Sequence, residues 1–100
     1  MKHFLVDIRY RVPAEEMAEI TREHRAFLQE GYRRGLLLYS GPKLPKTGGL
    51  VLARAESLAE LEEFFNDDPY RLHDVAEHTF TEFDPVFYQP FLAGWVSGES

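Results

Sequence analysis

In HFLVDIRYRV, residues 3–12, every second side chain is apolar: Phe4, Val6, Ile8, Tyr10 and Val12 share one face. Lys2, Leu5, Asp7, Arg9 and Arg11 supply the other. That alternation marks a β-strand with one buried side, and Pro13 ends it. The period then switches. From about Ala14 to Arg34 the apolar stripe runs Met17, Ile20, His24, Phe27, Leu28 and Gly31, the pattern of a long helix. Glu15, Glu19, Arg22, Arg25, Glu30 and Arg33 take its wet side, and Gly31 and Gly35 mark its fraying end.

The same two periods recur. Residues 36–42, LLLYSGP, form a short apolar strand stopped by Gly41 and Pro42. Residues 43–49, KLPKTGG, are a loop of turn formers, and 50–55, LVLARA, are the strand that returns. Ser57 and Glu60 make a capping box for a second helix whose stripe is Leu58, Leu61, Phe64 and Phe65. HTFTEF, residues 78–83, is the last strand. The order β-α-β-β-α-β predicts an α+β, ferredoxin-like domain, with two helices on one face of a four-stranded antiparallel sheet. The chain reads as one unit over 1–100, with a core over 1–87 and a tail over 88–100.

Two helices leave the second sheet face open, and pairing with another copy is the economical way to cover it. The tail points the same way. Tyr88, Phe91, Leu92, Trp95 and Val96 fall at helical spacing behind Pro90. A helix of two turns with Gly94 inside it has no stability alone, so its aromatics must dock on the domain's own core or on a second subunit.

Composition narrows the function. Hydrophobic residues at 44% and aromatic ones at 14% describe a folded globular chain. A net charge of −6 argues against nucleic acid or an anionic membrane as partner. With no cysteine there is no disulfide, thiolate nucleophile or cysteine-ligated metal. The N-terminus reads as a strand and not a signal peptide, and no apolar run reaches the roughly 20 residues of a membrane span. The expectation is a soluble, cytoplasmic protein.

No glycine-rich phosphate loop is present, and the cluster His73, Asp74 and His78 has the spacing of no standard metal site. Neither metal nor cofactor is expected. His24 is set apart by its place on the apolar stripe of the first helix, in step with Ile20 and Phe27, where its imidazole points toward the sheet. It reads as a core histidine bonded to a carbonyl or as half of an acid–base pair. The candidate partner is in FFNDDPY, residues 64–70. Pro69 bars Asp68 from the helical region, and Asp68 can N-cap a new short helix with Pro69 at its first position. Its carboxylate can also reach His24, because both helices pack side by side on one sheet face. One oxygen would cap and the other accept from the imidazole, fixing its tautomer. Asp67 faces solvent in this reading. Ser40 and Gly41 end a strand, where a glycine allows a ligand close approach or simply makes a turn. Tyr70 fills the core or stacks on a ligand, and His73 is grouped with these three as substrate-binding. Arg22 and Arg25, beside His24, bind an acid group or merely solvate a helix face.

Three stretches, HRAFLQEGYRRGLLLYSGP (24–42), GGLVLARAESLAELEEFFNDDPY (48–70) and AEHTFTEFDPV (76–86), together resemble the YCII-related family of small YciI-like proteins. The shared elements are a histidine in the first helix, Gly-Pro after the second strand and Asp-Pro-aromatic after the second helix. The resemblance implies a ferredoxin-like fold and a dimeric assembly similar to the dimeric α/β barrels that include muconolactone isomerase. It also implies a His–Asp site, carried over to His24 and Asp68. One family member is a dehydrochlorinase of chloroaromatic breakdown, while most have no assigned reaction. Asp74 stands where the family usually has glycine, which predicts a rebuilt turn and a more polar pocket. The leading expectation is a cofactor-free isomerase or lyase, acting by proton transfer on a small cyclic or aromatic-acid-like molecule. The alternative is a non-catalytic dimeric module that binds a metabolite or serves as an accessory subunit.

Overall fold

A computed structural model describes residues 1–99. Its elements are β1 (Lys2–Tyr10), α1 (Ala18–Arg33), β2 (Leu37–Pro42), β3 (Gly48–Ala55), α2 (Leu58–Phe65), α3 (Pro69–Leu72), β4 (Ala76–Phe83) and α4 (Ala93–Ser97). The strands form one antiparallel sheet in the order β2-β3-β1-β4. This is the split βαβ arrangement of a ferredoxin-like α+β fold. Among the described residues no helix is long and apolar enough to cross a membrane.

Phe4, Val6 and Ile8 of β1 are buried beside Val51 and Ala53 of β3, beneath Leu28 of α1 and Leu61 and Phe65 of α2. Each large apolar side chain removed from water contributes about 1.5–3 kcal/mol. Ser57 accepts from the Glu60 N–H at 3.1 Å, as a capping box requires, while Glu60 reaches back to the N–H of Glu56 rather than that of Ser57.

Several boundaries differ from the sequence expectation. The long helix does not begin at Ala14: a single 3-10 turn, Ala14–Glu16, precedes it, and α1 starts without a side-chain cap after Met17. No Ser, Thr, Asp or Asn is available at that N-terminus, and the chain turns to bury Met17. β1 stops at Tyr10, short of Val12. β4 begins at Ala76 because Ala76 and Glu77 still pair with Tyr10 and Arg9.

The turn after α3 closes in a form that glycine commonly takes. Asp74 adopts φ 54°, and the N–H groups of Asp74 and Val75 bond the carbonyls of Arg71 and Tyr70 at 3.1 and 3.0 Å. That is a Schellman motif with Asp74 at the left-handed position. Gly35, at φ 74°, ends α1 in the same way, through Gly35 to Tyr32 and Leu36 to Gly31. Asp74 is exposed, pairs with Arg11 and does not line the cleft described below, so it does not make that cleft more polar.

The tail docks, but not by its whole apolar stripe. Trp95 lies 4.0 Å over the Arg54 guanidinium, whose Nη1 donates to the Trp95 carbonyl at 2.8 Å. His3 Nε2 donates to the Val96 carbonyl at 3.1 Å. Tyr88 and Phe91 are exposed and take no part in the core. The tail thus covers the His3 and Arg54 row of the outer sheet face and leaves the next rows open.

The left-handed Asp74 gives a direct test. Asp74→Gly keeps the motif and should change stability by less than about 1 kcal/mol, because an exposed ion pair contributes little. Asp74→Val should cost about 1–2 kcal/mol in urea unfolding, as a β-branched residue is forced into the left-handed region.

Candidate active site

Between α1 and the β2–β3 end of the sheet lies a cleft of about 520 Å³. Its α1 wall carries Thr21, His24, Arg25, Leu28, Gln29 and Tyr32, and the facing wall carries Ser40, Gly41, Pro42, Gly48 and Gly49. Ile8 and Val51 form the floor, with Tyr10 and Tyr70 at one end. Gly48 is required here: a Cβ on it would lie 1.8 Å from the Ile8 carbonyl oxygen. At its three glycines this wall is bare backbone, open to close approach.

Asp68 sits behind the cleft, fully buried. Its backbone is extended, at φ −62° and ψ 125°, and its Oδ1 caps α3 by accepting from the Tyr70 N–H at 3.0 Å. The same Oδ1 accepts from His24 Nδ1 at 2.8 Å. Oδ2 accepts from His78 Nε2 at 2.9 Å. One oxygen thus serves both cap and His24, contrary to the sequence expectation of one oxygen each, and the other belongs to a histidine that expectation missed. Both histidines turn a ring nitrogen to the carboxylate. Among the described residues no group of three or more His, Cys, Asp or Glu is arranged to hold a metal ion.

Burial alone would push the Asp68 carboxyl up. Hydrogen bonds from His24 and His78, the charge of His24 and the Tyr70 N–H outweigh it, and the group stays below its ordinary value. An ionised Asp68 acts only as acceptor, so His24 carries its proton on Nδ1 when neutral. Its Nε2 then holds a lone pair, has no protein partner among the described residues and is not one of the fully covered polar atoms. It opens to the cleft. The Tyr70 ring stacks on the His24 ring at 3.9 Å and 7°, holding the imidazole plane. Burial pushes the Tyr70 hydroxyl up, so it remains a phenol, bonded to Thr21 Oγ1 at 2.7 Å and near Tyr10 Oη at 3.4 Å.

Of the residues picked from the sequence, His24, Ser40, Gly41 and Tyr70 line one cleft and Asp68 backs it. Ser40 Oγ lies 2.6 Å from Tyr32 Oη on the far side of the cleft. Asp67 is exposed, as expected. His73 is not with them: it is the exposed C-cap of α3, turned to solvent by the Schellman end. His78 was the residue to find, and the signal was phase. It alternates with Ala76 and Phe80 on the helix-facing side of β4, the side on which Asp68 must lie.

Fold and cleft define a ferredoxin-like α+β domain with an imidazole held by a buried carboxylate at a cleft wall. The YCII-related domain model matches residues 2–84. The chain belongs to the YCII-related family. Among solved structures it is similar to 5-chloro-2-hydroxyhydroquinone dehydrochlorinase from Burkholderia phenoliruptrix AC1100, in complex with 2,5-dihydroxybenzoquinone. The identity is 18% and the TM-score 0.69, over 81% of this chain and 92% of that one, a similarity of fold. No curated protein matches the chain.

The depressed Asp68 carboxyl has a pH consequence. Its ionised form adds stability that is fully present above the unfolded value, about pH 4, and is lost as pH falls through the lower folded value. The stability gap between wild type and Asp68→Asn should therefore be widest above about pH 4 and narrow below it, read by urea unfolding across pH. A gap that widens on acidification would contradict the ionised assignment.

Proposed function

We propose that this protein is a small enzyme that moves a proton on a small cyclic or aromatic-acid-like molecule, coupled to isomerisation or elimination. His24 is the general base or acid, and Asp68 positions it. The observation that carries this reading is the 2.8 Å bond from His24 Nδ1 to a buried carboxylate, which leaves Nε2 as the basic atom facing the cleft. A volume of about 520 Å³ suits a single substituted ring. Tyr32 and Ser40 offer hydroxyls to its oxygens and Arg25 stands at the rim for an acid group. The similar fold of a dehydrochlorinase bound to 2,5-dihydroxybenzoquinone supports a hydroxylated ring as substrate and loss of a proton with a leaving group as reaction.

The open sheet face supports a homodimer. Tyr39, Leu52, Leu5 and Thr81 lie in one register row across all four strands, and Tyr39 is 67% exposed. Such a row on the surface of a single copy is better buried against a second. Leu52→Glu should then shift the mass in light scattering from twice 11.6 kDa to 11.6 kDa.

A second reading has its own observation: His78, buried and outside the cleft, takes Oδ2, so the cluster also ties β4 to α1. In that reading the chain is a dimeric metabolite-binding or accessory module. His24→Asn separates the two, because an asparagine amide can still donate to Asp68 while the base is gone. The enzyme reading expects turnover of hydroxylated or chlorinated hydroquinones to fall about 10²–10⁴-fold with folding nearly intact. Retained turnover would sink it. In the module reading no such turnover exists, and His24→Ala shows only a lower melting temperature, from a stranded carboxylate worth about 1–3 kcal/mol.

A further inference from the structure

His78 is the buried titratable group that the proposed chemistry does not use. Its side chain is fully covered, packed against Phe65 at 5.5 Å and Phe80 at 6.5 Å between ring centroids. Its Nε2 has one partner, Asp68 Oδ2. Its Nδ1 has none among the described residues, although it is closed off from water. A buried ring nitrogen without a partner costs free energy whether it carries a proton or a lone pair. A phenylalanine would fill an aromatic pocket of this kind without that cost. The position is therefore explained by what the other nitrogen does.

We propose that His78 is a positioning residue for His24, acting through Asp68: its Nε2–H holds the second carboxylate oxygen and so keeps the His24 nitrogen that faces the cleft free of a proton, as a base. With His78 in place, both oxygens of Asp68 accept, and the carboxylate stays ionised. Without it, Oδ2 is an unpaired anionic oxygen in an apolar pocket, and burial favours the protonated acid. A protonated Asp68 can donate to His24 Nδ1. The imidazole then carries its proton on Nε2, and the atom facing the cleft becomes a donor with no lone pair to offer. His78 does not line the cleft, so its loss should leave substrate contacts in place.

The turnover arm of the test rests on the acid–base reading of His24; the spectroscopic arm does not. In nitrogen-15 NMR of the free protein at neutral to mildly basic pH, the His24 ring should show one tautomer, protonated at Nδ1. His78→Phe should convert it to a mixture or to the Nε2–H form. His78→Gln places an amide N–H near the position of Nε2 and should restore the single tautomer. His78→Asn, too short to reach Oδ2, should behave like the phenylalanine variant and replaces it if that variant does not fold. Where turnover is measurable, the phenylalanine or asparagine variant should lose kcat by up to about 100-fold with KM little changed, and glutamine should recover most of it. A single Nδ1–H tautomer in the phenylalanine or asparagine variant overturns the proposal, even if melting temperature falls. A tautomer that responds in a protein without turnover upholds the positioning role and counts against the enzyme reading alone.

Discussion

The Asp68 carboxylate is the contact on which most of this structure converges. It lies fully buried and takes three N–H donors: His24 from α1, His78 from β4, and the main chain of Tyr70 in α3. A lone carboxylate in such a place would be strongly unfavourable, and removing one partner from a buried charged cluster commonly costs several kcal/mol. His24 lies 44 residues from Asp68 in sequence, while Tyr70 and His78 lie 2 and 10 away, so the cluster ties α1 to the α3–β4 segment and is satisfied only when the two are docked. Apolar burial of Phe4, Val6, Ile8 and Phe65 drives collapse without specifying much. The carboxylate specifies which collapsed arrangement is native.

Much of this was legible from residues alone, and the reasons are physical. Strand and helix periods are local, so the element order and the stripe containing His24 could be read directly. Asp68 was legible because Pro69 acts on its immediate neighbour, leaving an aspartate in an extended conformation at a helix end. His78 was legible only in part: strand phase puts it on the helix-facing side, but its place beside Asp68 depends on β4 pairing with β1, a register no local rule supplies. His73 misled by proximity: it is near Tyr70 in sequence, but the Schellman end of α3 turns it outward. Asp74 misled by family contrast. The left-handed position tolerates aspartate, and the exposed side chain points away from the cleft to Arg11.

Position in the sheet also separates the two faces by task. The helix-facing side holds the core and the cleft, and on the opposite side the tail covers the His3 and Arg54 row and leaves the row of Tyr39, Leu52, Leu5 and Thr81 uncovered. Trp95 on Arg54 and the Val96 carbonyl on His3 anchor that tail at one end of the face. Arg54 is buried there, and burial lowers its pKa, yet its partners are carbonyl oxygens rather than a carboxylate. A guanidinium held by the Gly35 and Trp95 carbonyls fixes the tail's path without closing the rest of the face, which remains available to a second copy.

The same carboxylate that selects the fold also orients the imidazole at the cleft, and this explains a compromise in the core. Optimising stability alone would replace His78 with an apolar ring and satisfy Asp68 differently, or dispense with Asp68 altogether. Instead the chain keeps a histidine with one unpartnered nitrogen. Local rules are most often broken where function sets the requirement. Here the broken rule, an orphaned ring nitrogen, sits one residue removed from the cleft, and the carboxylate between the two histidines is what joins them.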